Sequence, residues 1–143
     1  MATVSVRYIV DNVDDASCFY RDHLGFVVQM HPARTFAMLG RGDLRLVLSA
    51  PSSEGGGGGG QILPDGSRPA PGGWNRFMIE VDDLEALVAR LGGLGVRSRG
   101  PIIEGVGGRQ AIVDDPSGNP VELFMPTRDE ARLGQPDGIG GTD

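Results

Sequence analysis

Few side chains in this chain can do chemistry, and much of the information lies in what is missing. All thirteen basic residues are arginine, so no lysine amine can form a Schiff base or act as a general base. The single cysteine, Cys18, excludes an internal disulfide and any Cys-x-x-Cys metal or redox motif. Two histidines, His23 and His31, exclude a site built from three or four imidazoles. No Gly-x-Ser-x-Gly elbow occurs, so nucleophilic hydrolysis has no support. The carboxylate pairs Asp14-Asp15, Asp82-Asp83 and Asp114-Asp115 fall at expected helix starts or turns, where capping and solvation account for them. The run Gly55 to Gly60 matches a dinucleotide fingerprint in letters only, because it neither follows a clear strand nor opens a helix.

The elements that must position these residues come in two similar sets. Val10-Asp11 falls on Val81-Asp82 at an offset of 71, and Leu24-Gly25 on Leu94-Gly95 at 70. Leu46-Val47-Leu48 and Pro51 fall on Val121-Glu122-Leu123 and Pro126 at 75. Each half reads as strand, helix and three strands. In the first, Val4, Val6, Tyr8 and Val10 alternate with Ser5, Arg7 and Ile9, the period of a half-buried strand. A helix over 13–23 follows, stopped by Gly25, then strands near 26–31, 34–40 and 43–49. In the second, Phe77, Ile79 and Val81 alternate with Arg76, Met78 and Glu80. Leu84, Leu87, Val88 and Leu91 form a helical stripe capped by Asp82 or Asp83 and ended by Gly92-Gly93. Strands near 96–104, 107–114 and 118–125 complete it, with Asp115-Pro116-Ser117-Gly118 as a type I turn.

The expected organisation is a first module over 1–50, a Gly/Pro-rich linker over 51–73 with a mobile polyglycine tip, a second module over 74–126 and a flexible tail over 127–143. The chain has 143 residues and a net charge of −6, which argues against a nucleic-acid partner or an anionic membrane surface. No apolar run reaches the length of a membrane span, and the first residues lack the pattern of a signal peptide. The cytoplasm is the expected compartment.

Two motifs carry a resemblance: Phe19-Tyr20-Arg21-Asp22-His23-Leu24-Gly25-Phe26, and Asp114-Asp115-Pro116-Ser117-Gly118-Asn119-Pro120-Val121-Glu122-Leu123. With the repeat, they make residues 3–126 resemble the vicinal oxygen chelate superfamily of glyoxalase I, extradiol dioxygenases, fosfomycin-modifying enzymes and bleomycin-resistance proteins. The resemblance implies an α+β fold of two βαβββ modules whose sheets curl around an open cavity. It also implies a homodimer.

In metal-dependent members, four positions hold His or Glu around a divalent ion. The motifs carry them onto Ser5, Val47, Arg76 and Glu122. Valine offers no donor, serine a poor one, and arginine is a permanent cation. No metal or other cofactor is therefore expected. Arg76 is expected to take the ion's place as the local positive charge and to pair with Glu122. His23, at a helix end, reads as a solvated or capping group, His31 as a surface residue and Cys18 as a structural thiol.

Strand parity puts Arg7, Ile9, Val47, Arg76, Met78, Glu122 and Phe124 on the concave faces, with Ser5 and Glu80. Phe36, Met38 and Trp74 join them as wall or rim residues. The two methionines suit a core or a pocket equally, and Trp74 could stack on a planar ligand. A cavity apolar in part, with a few fixed charges, is the usual design of a small-molecule site. The resemblance then implies a metal-independent protein that binds an aromatic natural product or antibiotic and confers resistance by sequestration, rather than an enzyme. Two alternatives stay open: a metal-dependent glyoxalase or dioxygenase, and a metal-free isomerase or lyase with Glu122 or Glu80 as base.

Overall fold

A computed structural model describes residues 4–52 and 59–132. The expected mobile tip of the polyglycine run and the end of the expected tail lie outside the described residues. The chain forms two compact units. Unit 1 runs to Trp74 and includes Asp115–Asn119; unit 2 holds Asn75–Asp114 and the chain from Pro120 on.

Unit 1 contains β1 (Val4–Ile9), α1 (Val13–Leu24), β2 (Val27–Ala33), β3 (Phe36–Arg41) and β4 (Leu44–Ser49). Its sheet has the order β1-β4-β3-β2, with β1 and β4 parallel and the other pairs antiparallel. The helix starts where Asn12 caps it, its side chain accepting the Asp15 N–H at 2.9 Å. It stops at Gly25, whose left-handed φ of 75° lets the Phe26 N–H reach the Tyr20 carbonyl at 3.1 Å. Val13, Ala16, Phe19, Tyr20 and Leu24 pack against Ala37, Leu39, Leu46 and Leu48 on one sheet face to form the core. The opposite face carries Ser5, Arg7 and Ile9 of β1, Val47 and Ser49 of β4, and Phe36 and Met38 of β3.

Unit 2 repeats the plan with β5 (Met78–Glu80), α2 (Leu84–Gly93), β6 (Ile103–Glu104), β7 (Gly108–Asp114) and β8 (Pro120–Pro126). The sheet order is β5-β8-β7-β6, with β5 and β8 parallel. Asp83, one of the two expected caps, accepts the Ala86 N–H at 3.1 Å. Ile79, Ala111, Val113, Val121 and Leu123 are buried on the helix side, with Leu84 and Leu91 of α2 above them.

Two expected strands are shorter than their sequence pattern. Arg76 precedes β5 rather than lying within it, although the Phe77 carbonyl still accepts the Glu122 N–H at 3.1 Å. The expected strand near 96–104 is reduced to Ile103–Glu104 and an isolated Ser98–Val113 bridge. Gly100 at a φ of 100° and Pro101, which has no N–H to donate, break the pairing between those pieces. Past β8, Asp129–Ala131 form a 3-10 turn.

Candidate functional site

Each sheet keeps one face away from its helix, and these open faces carry most of the residues singled out above. In unit 1, Arg7, Val47 and Met38 are cross-strand neighbours, and so are Ile9, Ser49 and Phe36. Val47 is buried, while Met38 and Phe36 are half-buried. The Arg7 guanidinium touches Gly59, at the end of the polyglycine run, so closely that a Cβ there would collide with it. Gly59 has a φ of 79°, a left-handed backbone conformation that favours glycine. Trp74 belongs to unit 1, lies outside the strands and is 65% exposed.

In unit 2, Met78, Glu122 and Ile112 form one cross-strand row, and Glu80, Phe124 and Gln110 the next. Gln110 and Ile112 were missed at the sequence level, although alternation with buried Ala111 and Val113 places them on this face. Met78 is 39% exposed, while Phe124, Gln110 and Ile112 are half-buried. Glu122 is only 9% exposed. Its Oε1 accepts the Arg76 Nε–H at 3.0 Å and lies 2.9 Å from Nη2. Burial makes this pair hard to break, because removing either partner strands the other charge where water solvates it poorly. Glu80 lies 3.7 Å from the Arg132 guanidinium.

The four positions that hold a metal in relatives do not fit one here. In unit 1 the side chains are a hydroxyl and a branched alkyl group. In unit 2 a guanidinium binds the one carboxylate through Oε1. No group of three or more His, Cys, Asp or Glu able to hold a metal occurs among the described residues.

Three readings of polar residues change. Asp114 and Asp115 are buried rather than solvated. Asp114 pairs with Arg99 at 2.6 Å. Asp115, 4% exposed, accepts four hydrogen bonds. Its Oδ1 takes the Ser117 and Asn119 backbone N–H groups at 2.8 and 3.0 Å. Its Oδ2 takes the Tyr20 hydroxyl at 2.8 Å and Asn119 Nδ2 at 3.1 Å. Asn119 Nδ2 also donates to the Ile9 carbonyl at 2.7 Å, and Ser117 Oγ accepts the Asp11 N–H at 2.8 Å. Burial raises the Asp115 carboxyl above its ordinary range, outweighing the bonds that favour its charge. His23 is half-buried rather than freely solvated: its ring packs against Phe19 and its Nδ1 is sealed without a partner.

Cys18 is exposed and borders a groove of about 540 Å³ between α1 and β2 that the sequence did not indicate. His31 Nε2 lies on the same groove, 3.1 Å from Asp14 Oδ1.

Paired βαβββ units with one open sheet face each define the class of fold. The Glyoxalase/Bleomycin resistance protein/Dioxygenase superfamily matches residues 3–123, and the chain belongs to it. No curated protein sequence matches the chain. Among solved structures, it is similar to TnmS3, an antibiotic binding protein from Streptomyces sp. CB03234, with 26% identity over 89% of this chain and 97% of that one, at a TM-score of 0.64. A glyoxalase/bleomycin resistance protein from the same organism is 27% identical over 86% of this chain and 99% of that one, at a TM-score of 0.61. Lactoylglutathione lyase from Agrobacterium tumefaciens shares the fold at 23% identity, covering 87% of this chain and 92% of that one, at a TM-score of 0.65.

Proposed function

We propose that this protein binds a planar aromatic small molecule without a metal and acts by sequestering it. One observation carries the reading: Arg76 and Glu122, at the unit 2 positions that the resemblance gives to metal ligands, pair with each other on a sheet face that also presents Met78, Ile112 and Phe124 beside Glu80 and Gln110. Such a face recognises shape and apolar area, with the ion pair as a fixed polar mark. Burying about 400 Å² of apolar ligand surface contributes roughly 10 kcal/mol before association costs. Those costs consume about half of it, which leaves micromolar binding within reach.

Met78, Phe124, Arg76 and Glu122 are the proposed ligand contacts on unit 2. Arg7, Ile9, Phe36, Met38 and Val47 are those on unit 1, with Trp74 as a stacking residue. The likeness to an antibiotic binding protein supports an antibiotic or related natural product as the ligand class. A homodimer in the cytoplasm is the proposed working form, and no described helix is long and apolar enough to cross a membrane.

Tryptophan fluorescence of the purified protein, titrated with aromatic antibiotics after treatment with a chelator, tests the proposal. Saturable quenching is expected, together with protection of a sensitive host that expresses the chain. Flat titrations, or stoichiometric nickel, zinc, iron or manganese in gently purified protein, would overturn it in favour of a metal-dependent lyase or dioxygenase.

A further inference from the structure

We infer that the site selects ligands that present a hydrogen-bond donor, a phenolic hydroxyl or an aromatic N–H, to Glu122 Oε2. This rests on the proposed small-molecule site and specifies its ligand. The two contacts from Arg76 converge on Oε1. Oε2 accepts no hydrogen bond among the described residues, and it is not one of their sealed, unpartnered polar atoms. Oε2 is therefore open to water. The cross-strand neighbours on either side, Met78 and Ile112, have no donor to give it.

An aromatic ring laid over Met78 and Ile112 would displace that water. The carboxylate oxygen is acceptor-only, so a ligand must replace the lost bond or leave a charged oxygen dry and unpaired. A ligand carbonyl or ether would meet Oε2 lone pair to lone pair. A ligand carboxylate would meet it charge to charge, because the Arg76 cation is already balanced. A neutral donor suits the position. Its bond to an anion is of the stronger, charge-assisted kind, and Arg76 holds the acceptor in place beforehand. Sites of this type reject analogues that merely lack the donor.

Equilibrium dialysis of the full chain against three probes tests this. 1-Naphthol carries the donor, 1-methylnaphthalene keeps the shape without it, and 1-methoxynaphthalene keeps the oxygen without the proton. Wild-type protein is expected to bind 1-naphthol at least about tenfold tighter than either analogue. Glu122→Gln, which turns one acceptor into a donor, is expected to bring the 1-naphthol and 1-methoxynaphthalene affinities within about threefold of each other. Equal affinity of the wild type for all three probes would overturn the inference and leave the aromatic site standing. No binding of any probe would overturn the site itself and the inference with it. Should Glu122→Gln fail to fold, the ratio measured on the wild type decides alone.

Discussion

Asp115 and Glu122 are buried acids seven residues apart in the chain, and the structure treats them in opposite ways. Asp115 sits in the turn that belongs to unit 1, and donors satisfy both of its oxygens: two backbone N–H groups, a phenol and an amide. Glu122 lies mid-strand in unit 2, with one oxygen on Arg76 and the other without a protein partner among the described residues. A saturated acid ties a fold together, because every lone pair is used. A half-saturated acid on an open sheet face keeps capacity for something outside the protein. Burial alone does not separate these two carboxylates, whereas the count of donors around each oxygen does.

The largest expected effect falls on the saturated acid. Asp115→Ala should destabilise the protein by about 3 kcal/mol, because Tyr20 Oη, Asn119 Nδ2 and two backbone N–H groups lose their common acceptor. Chemical denaturation measures it, and a loss under about 1 kcal/mol would mean that water replaces those bonds without cost. Glu122→Ala should cost less, about 2 kcal/mol, because Arg76 is one-quarter exposed and can turn to water. If Glu122→Ala proves the more damaging, the contrast between the two acids is reversed. Tyr20→Phe removes one donor of the four and should cost about 1 kcal/mol while leaving ligand binding unchanged.

The smallest effect is the pH dependence. Burial raises the folded-state pKa of Asp115, so folding favours its protonated form. Its contribution to stability is full below the unfolded value of about pH 4 and is lost as pH rises through the folded value. The stability advantage of the wild type over Asp115→Asn should therefore shrink with rising pH across that window. An advantage that grows instead would show that the four hydrogen bonds outweigh desolvation.

The alternation of apolar residues was enough to assign the open faces, because period two decides which side chains share a face. Arg76 and Glu122 meet as their neighbouring strands require, although Arg76 stands just before β5. Two helix ends were legible, from Asp83 and Gly25, since caps are local chemistry, whereas the Asn12 cap of α1 was not singled out. The burial of Asp115 was not legible. Its Tyr20 partner lies 95 residues away, and a turn signature reports backbone shape rather than what packs against it. The shortening of β6 was written in Gly100-Pro101, yet the apolar residues on either side masked it. The unequal use of the two Glu122 oxygens depends on side-chain geometry that no sequence pattern encodes.

The most direct measurement is an amide NMR titration of chelator-treated protein with 1-naphthol. The account predicts shifts at Met78–Glu80, Gln110–Ile112 and Glu122–Phe124 of unit 2 and at Arg7–Ile9, Phe36–Met38, Val47 and Trp74 of unit 1, without any added divalent ion. Signals that stay still until a divalent ion is supplied, or that move only along the α1–β2 groove around Cys18, would contradict it.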